Sequence, residues 1–138
     1  DSVTFIEETG EFTASLVSDH LKEKMNASSV NAPRSVSEFE YAGLGIAHSK
    51  VIAAPYVKEA YAALECVAVE TKRLQDKEGR PTDNYMVIGE VVGVHIDESV
   101  LTDGLFDIRK AKPVTRLGYM DYATTEDVYQ MFRPRWED

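Results

Sequence analysis

The chain has 138 residues, 15 of them Lys or Arg and 24 Asp or Glu, for a formal net charge of −9. That length is about one domain, and 43% hydrophobic with 28% charged residues is the composition of a folded protein, not a disordered one. The acidic balance argues against a nucleic-acid partner and an anionic membrane surface, no apolar run approaches the roughly 18 residues of a membrane span, and a single cysteine allows no internal disulfide.

The first segment, Ser2 to Gly10, predicts a short helix, with Asp1 or Ser2 capping its free N–H groups and Gly10 in the left-handed position after its last turn. Phe12 to Val17 alternates as a strand, placing Phe12, Ala14 and Leu16 on one face. Asp19 to Met25 reads as a helix with Leu21 and Met25 on one stripe, and the small polar run from Asn26 to Pro33 reads as a loop. Ser35 and Glu38 frame a capping-box pattern, opening a helix that carries Phe39 and Ala42 and stops at Gly43.

Two long strands follow, Tyr61 to Thr71 and Tyr85 to Ile96, joined by a polar connection from Gln75 to Asn84 whose Gly79 and Pro81 mark a hairpin. Both strands are apolar on both faces, so neither has a simple solvent side. For an antiparallel pair that points to a barrel whose outer wall is covered by helices or by a second subunit. Asp103-Gly104 marks another turn, and Thr124 to Phe132 reads as a helix with Val128, Met131 and Phe132 on one stripe. The expected fold class is mainly β with short helices, arranged as an antiparallel barrel.

Few residues announce chemistry. His20, His48 and His95 are scattered without a second ligand at metal spacing, so no zinc site is expected. Gly43-Leu-Gly45-Ile-Ala-His48 begins like a dinucleotide fingerprint, but His stands where the third glycine belongs and the run follows a helix. Asn26-Ala-Ser28 matches a glycosylation acceptor, a pattern common by chance. Cys66, mid-strand beside Leu64 and Ala68, reads as a buried small hydrophobe. Glu65 and Glu90 each interrupt an apolar strand, and the commoner role of such a carboxylate is to bond backbone or an arginine. His95, at its strand's end, reads as structural. Arg116-Leu-Gly118, ahead of Tyr119 and Tyr122, combines a fixed cation, flexible backbone and aromatic faces; the set suits a planar anionic ligand as well as it suits packing.

Taken in order, several short stretches resemble one family. They are Glu8-Thr-Gly-Glu-Phe12 with Leu16-Val-Ser18, Met25-Asn-Ala-Ser28, Glu38-Phe-Glu-Tyr-Ala-Gly-Leu44, Leu64-Glu-Cys66, Val87-Ile-Gly-Glu-Val-Val92, Val94-His-Ile-Asp97, Leu101-Thr-Asp-Gly104 and Arg116-Leu-Gly118 with Tyr122. Their order over almost the whole chain resembles the flavin reductase-like family of FMN-binding split barrels. The resemblance implies a six-stranded antiparallel Greek-key split barrel, a homodimer holding FMN near the subunit interface, and a cytoplasmic location. It implies an oxidoreductase in which NAD(P)H reduces FMN and electrons pass to free flavin, a monooxygenase partner or another acceptor. An FMN-binding electron carrier reduced by another protein, and a non-enzymatic dimeric binding module of the same fold, are the alternatives.

Matched to the family, residues 1–138 read as a single domain forming the C-terminal two-thirds of a member, without its N-terminal strands. Ser2 matches a position near the flavin phosphate, where a helix N-terminus suits an anion. Asn26, Ala27 and Ser28 match a loop that offers amide and hydroxyl groups to the flavin, and Asn84 a position facing the nicotinamide. Arg116 and Tyr122 match the closing motif and are expected to line the cleft; Tyr119 stands where long-chain members carry a second glycine.

Overall fold

The computed structural model describes residues 2–136. Helix α1 (Ser2–Thr9) ends where Gly10 turns to φ +72° and donates its N–H to the Ile6 carbonyl at 2.7 Å, the left-handed stop its sequence predicts. The cap expected of Asp1 lies outside the described residues. Strand β1 (Glu11–Ser15) leads, through a 3-10 turn at Asp19–Leu21, into α2 (Lys22–Ser28). Then come α3 (Glu38–Tyr41) and the short strands β2 (Ile46–Ala47) and β3 (Tyr56–Val57), which pair with each other.

The centre is a hairpin of β4 (Ala62–Gln75) and β5 (Pro81–Ile96), with β1 added on the other edge of β4, giving an antiparallel sheet in the order β1–β4–β5. Phe12 faces Cys66 and Ala14 faces Leu64, while Leu64 in turn faces Val94. A bulge between Glu65 and Cys66 shifts the register. Opposite Phe12 a side chain has no room: a Cβ on Gly89 would lie 2.5 Å from the Phe12 ring. β1 reaches only Ala63 to Val67, so beyond that point β4 and β5 run on as a two-stranded ribbon with Val69, Leu74, Tyr85, Met86 and Ile88 exposed. Two further hairpins close the chain, β6 (Leu101–Thr102) with β7 (Leu105–Phe106) and β8 (Val114–Arg116) with β9 (Tyr122–Thr124), separated by α4 (Ile108–Ala111).

Four expectations need correction. Residues 125–136 are not helical. Val114 and Thr124 pair across β8–β9 and the Thr125 N–H bonds the Pro113 carbonyl at 2.8 Å, which commits the backbone to extended structure. Met131 and Phe132 of the predicted stripe are then exposed, while Val128 is half-buried with its carbonyl accepting from Arg109 Nη2 at 3.0 Å. A short helix with so little packing is marginal in water. Asn26 to Ser28 form the last turn of α2, not a loop; the Ser28 and Ser29 hydroxyls bond the Met25 and Asn26 carbonyls at 2.8 and 2.7 Å, and the irregular segment starts only there. The cap of α3 is Ser37, whose Oγ accepts from the Glu40 N–H, rather than Ser35. Finally, the long strands outrun their apolar pattern. Asp76 Oδ1 accepts the N–H groups of Glu78 and Arg80, both at 2.9 Å, folding the turn into residues 76–80, and polar cross-strand pairs such as Arg73–Asp83 extend the ladder.

Among the described residues the buried hydrophobic ones are few: Leu21, Ile52, Ala63, Cys66, Val100 and Ala111. The apolar faces predicted for both long strands are largely uncovered. Leu64, Val94 and Ile96 line an open apolar groove of about 480 Å³ with Phe106, Ile108 and Pro113.

Candidate functional site

Ser2, Asn26 and Tyr122, all expected to hold a ligand, line two clefts. The first, about 360 Å³, lies between α2 and the β8–β9 hairpin and is lined by Lys22, Asn26, Val114, Met120, Tyr122 and Thr124, among others. It is assembled by long-range bonds. The isolated bridge of Ser18 to Pro113, and the Val114 N–H bonded to the Val17 carbonyl at 2.8 Å, bring the end of the chain beside the residues after β1. Asp19 Oδ1 then accepts from Lys22 Nζ at 2.9 Å and from Thr124 Oγ1 at 2.8 Å, clamping α2 to β9. Those two bonds, Lys22 first, hold the Asp19 carboxyl below its usual range. Sequence reading missed this clamp, because nothing local links residues 105 positions apart.

Arg116 is exposed and lies outside the cleft lining, bonded to residues of its own hairpin. Its Nη1 donates to the Tyr122 hydroxyl at 2.7 Å, its Nη2 donates to the Tyr119 carbonyl at 2.9 Å, and its guanidinium lies 5.2 Å from the Tyr122 ring centroid. The three residues thus form a braced hairpin tip, with Tyr119 itself 95% exposed in a left-handed conformation (φ +57°). Arg116 and Tyr122 are hydrogen-bonded to each other, but only Tyr122 is among the residues that line the cleft, where Asn26 lies on the α2 side.

The second cleft, about 450 Å³, surrounds the start of α1 and is lined by Ser2, Phe5, Arg34, Ser35, Ser37 and Phe39, among others. Among the described residues the first turn of α1 carries no carboxylate. Arg34 lies over Phe5 at 4.6 Å and forks onto both carboxylate oxygens of Glu8, pulling the Glu8 carboxyl down. Ser2 therefore sits in a different cleft from Asn26 and Tyr122. Ala27 lines neither; Ser28 turns its hydroxyl back to its own helix and lines a separate small hollow of about 110 Å³ with Leu16, Leu21, Met25 and Leu44. Asn84 is exposed on the β4–β5 ribbon, away from both linings.

Glu65 proves to be a structural carboxylate. It is 1% exposed and accepts N–H bonds from Lys50, Val51 and Ile52 at 2.8, 2.8 and 3.1 Å. His95 Nε2 adds a fourth partner at 2.5 Å, and Tyr56 stacks on the His95 ring at 4.3 Å. Burial pushes the Glu65 carboxyl up, but these bonds outweigh it and hold its pKa at about 2. Glu90 is exposed opposite Val67. Cys66 is buried and its thiol is pushed up by burial, which suits a packing role. Among the described residues no helix is long and apolar enough to cross a membrane, and no three His, Cys, Asp or Glu side chains converge as metal ligands.

An antiparallel β1–β4–β5 sheet with small separate hairpins and short helices makes a mainly β protein. Its similarity to a split barrel domain structure from Shewanella frigidimarina, with a TM-score of 0.80 at 29% identity over 96% of this chain and 66% of the other, gives it the split-barrel fold. The chain belongs to the flavin reductase-like domain family, whose sequence model matches residues 1–115. It is 32% identical over 128 residues to an uncharacterized protein of Halalkalibacterium halodurans, covering 93% of this chain and 61% of that protein. Among solved structures it is similar to nitrilotriacetate monooxygenase component B from Bacillus cereus, with a TM-score of 0.86 at 30% identity, covering 95% of this chain and 64% of the other. The flavoredoxin of Desulfovibrio vulgaris follows, with a TM-score of 0.80 at 26% identity, 94% of this chain and 67% of the other. The chain thus spans less than two-thirds of the length of the first relatives it matches.

Proposed function

We propose that the protein is an FMN-dependent oxidoreductase in which NAD(P)H reduces the flavin and the electrons go on to free flavin or a partner protein. The observation that carries this reading is the pairing of Asn26 with the Arg116-braced Tyr122 across one cleft, in a chain of the flavin reductase-like family. The residue types suit a flavin. The Asn26 amide can both donate and accept, as the edge of an isoalloxazine requires, and Tyr122 with Arg116 offers an aromatic face beside a permanent cation. Cleft sizes of about 360 and 450 Å³ fall within the roughly 300–1,000 Å³ of ligand pockets. The N-terminus of α1 at Ser2, with no carboxylate in its first turn among the described residues, suits the phosphate.

When bound, FMN would supply the hydride and electron-transfer chemistry. The chain's own residues hold and orient it. Asp19 keeps the Asn26 helix and the Thr124 strand at a fixed separation, and Arg116 fixes the Tyr122 hydroxyl. Ala27 and Ser28 take part as the turn that positions Asn26. Asn84, out on the ribbon, enters this reading only across the interface of a homodimer, which would also cover the exposed apolar faces of β4 and β5. The similarity to a monooxygenase component supports a monooxygenase as acceptor.

Mixing the intact gene product with FMN and adding NADH or NADPH without oxygen tests the reading. The visible flavin band is expected to bleach. Bleaching by a protein donor but by neither nucleotide would replace it with the electron-carrier reading, which the similarity to a flavoredoxin favours. No flavin binding at all would leave a binding module.

A further inference from the structure

Outside both clefts, the loop between β2 and β3 and the end of β5 enclose a further, strongly polar hollow of about 290 Å³. Lys50, Tyr56, Lys58, His95 and Asp97 supply its polar lining. Three features set it apart from ordinary surface. Among the described residues neither Lys50 nor Lys58 pairs with a carboxylate, in a chain where acids outnumber bases 24 to 15. The one carboxylate of the lining, Asp97, is turned to its own chain, accepting the Ser99 N–H at 2.8 Å. The whole arrangement is also fastened from beneath: buried Glu65 binds His95 Nε2 through Oε1 and, through the same oxygen, the backbone N–H of Lys50.

One buried carboxylate therefore fixes both the imidazole and the loop that presents an ammonium group. His95 is stacked on Tyr56, its side chain only 14% exposed, and its Nδ1 has no partner among the described residues. A hollow with two ammonium groups that pair with no carboxylate among the described residues, beside an imidazole whose Nε2 is committed to Glu65, is suited to an oxyanion: the lysines supply the charge, and Nδ1 donates when the ring carries its second proton.

We propose that this hollow is a binding site for the acidic group, carboxylate or phosphate, of a small metabolite, held by Lys50 and Lys58 and, in its imidazolium form, by His95 Nδ1. The inference does not rest on the flavin reading.

The test is a titration of the intact gene product with inorganic phosphate and, separately, with succinate, at constant ionic strength set by chloride. The His95 ring is followed by NMR and told apart from His20 and His48 by single substitutions. The expected result is a saturable shift at His95 that is weakened at least tenfold in the Lys50→Ala/Lys58→Ala variant, which alters two exposed side chains and spares the fold. Saturation by phosphate only, or by succinate only, supports the site and names its anion. No saturable shift with either, an equal shift with chloride alone, or an unchanged titration in the double variant overturns it.

Discussion

Glu65 and His95 form a couple beneath the sheet, Oε1 lying 2.5 Å from Nε2, and the same carboxylate gathers three backbone N–H groups of residues 50–52. A strand is thereby tied to a loop with no regular structure of its own. Each of those N–H groups would otherwise need water or another acceptor in a part-buried place. The couple is therefore a folding element as much as an electrostatic one.

Its pH dependence has a definite sign. The Glu65 carboxyl titrates near 2 in the folded chain against an ordinary value of 4.5, so the stability it contributes is complete above about pH 5 and is lost as pH falls toward 2. Acid unfolding followed by circular dichroism is expected to show this loss. Glu65→Gln should be less stable near neutral pH, while the gap to the wild type narrows as the pH is lowered.

A second prediction concerns packing. Phe12 occupies the space that a side chain at position 89 would need, its ring lying 2.5 Å from where a Cβ would stand. Gly89→Ala is expected to cost about 1–3 kcal/mol by forcing the ring aside. Chemical denaturation measures it, and an unchanged midpoint contradicts the packing described.

The clamp at Asp19 gives a third. Thr124→Val removes one of its two bonds while keeping the side-chain shape, and is expected to weaken FMN binding about tenfold, since a hydrogen bond's loss of about 1.4 kcal/mol corresponds to that factor. Tyr122→Phe should have a similar effect through Arg116. Lys77→Ala, out on the ribbon turn, serves as the control and should change nothing.

Much of this was readable from residues alone, for physical reasons that differ from place to place. Gly10, Gly79 and the Asp103-Gly104 pair mark turns because their backbone takes positive φ, a local property. The long strands show through their β-branched residues. The C-terminal stripe misled because helical spacing at Val128, Met131 and Phe132 matters only if a surface receives it, and β8 claims the preceding backbone first. Arg116 and Tyr122 were found together because they are six residues apart, whereas Asp19 and Thr124 meet only through the fold. Glu65 drew notice as a charge in an apolar strand, but its partners lie in a loop and on the next strand, beyond any local pattern.

The exposed ribbon supports a fourth prediction. Val69 and Ile88 are apolar and open to solvent where β1 no longer covers β4. The intact gene product is expected to sediment as a dimer, with Val69→Asp and Ile88→Asp each shifting it toward monomer. Monomeric wild type would remove the homodimer and, with it, the role given to Asn84.

The central claim is that the cleft between Asn26 and Tyr122 holds a flavin, and a titration of FMN against the intact gene product, read by quenching of flavin fluorescence, tests it most directly. Saturable binding by the wild type that weakens about tenfold in Asn26→Ala, with the circular dichroism unchanged, is the predicted result. Absence of binding, or binding that Asn26→Ala leaves untouched, would contradict it.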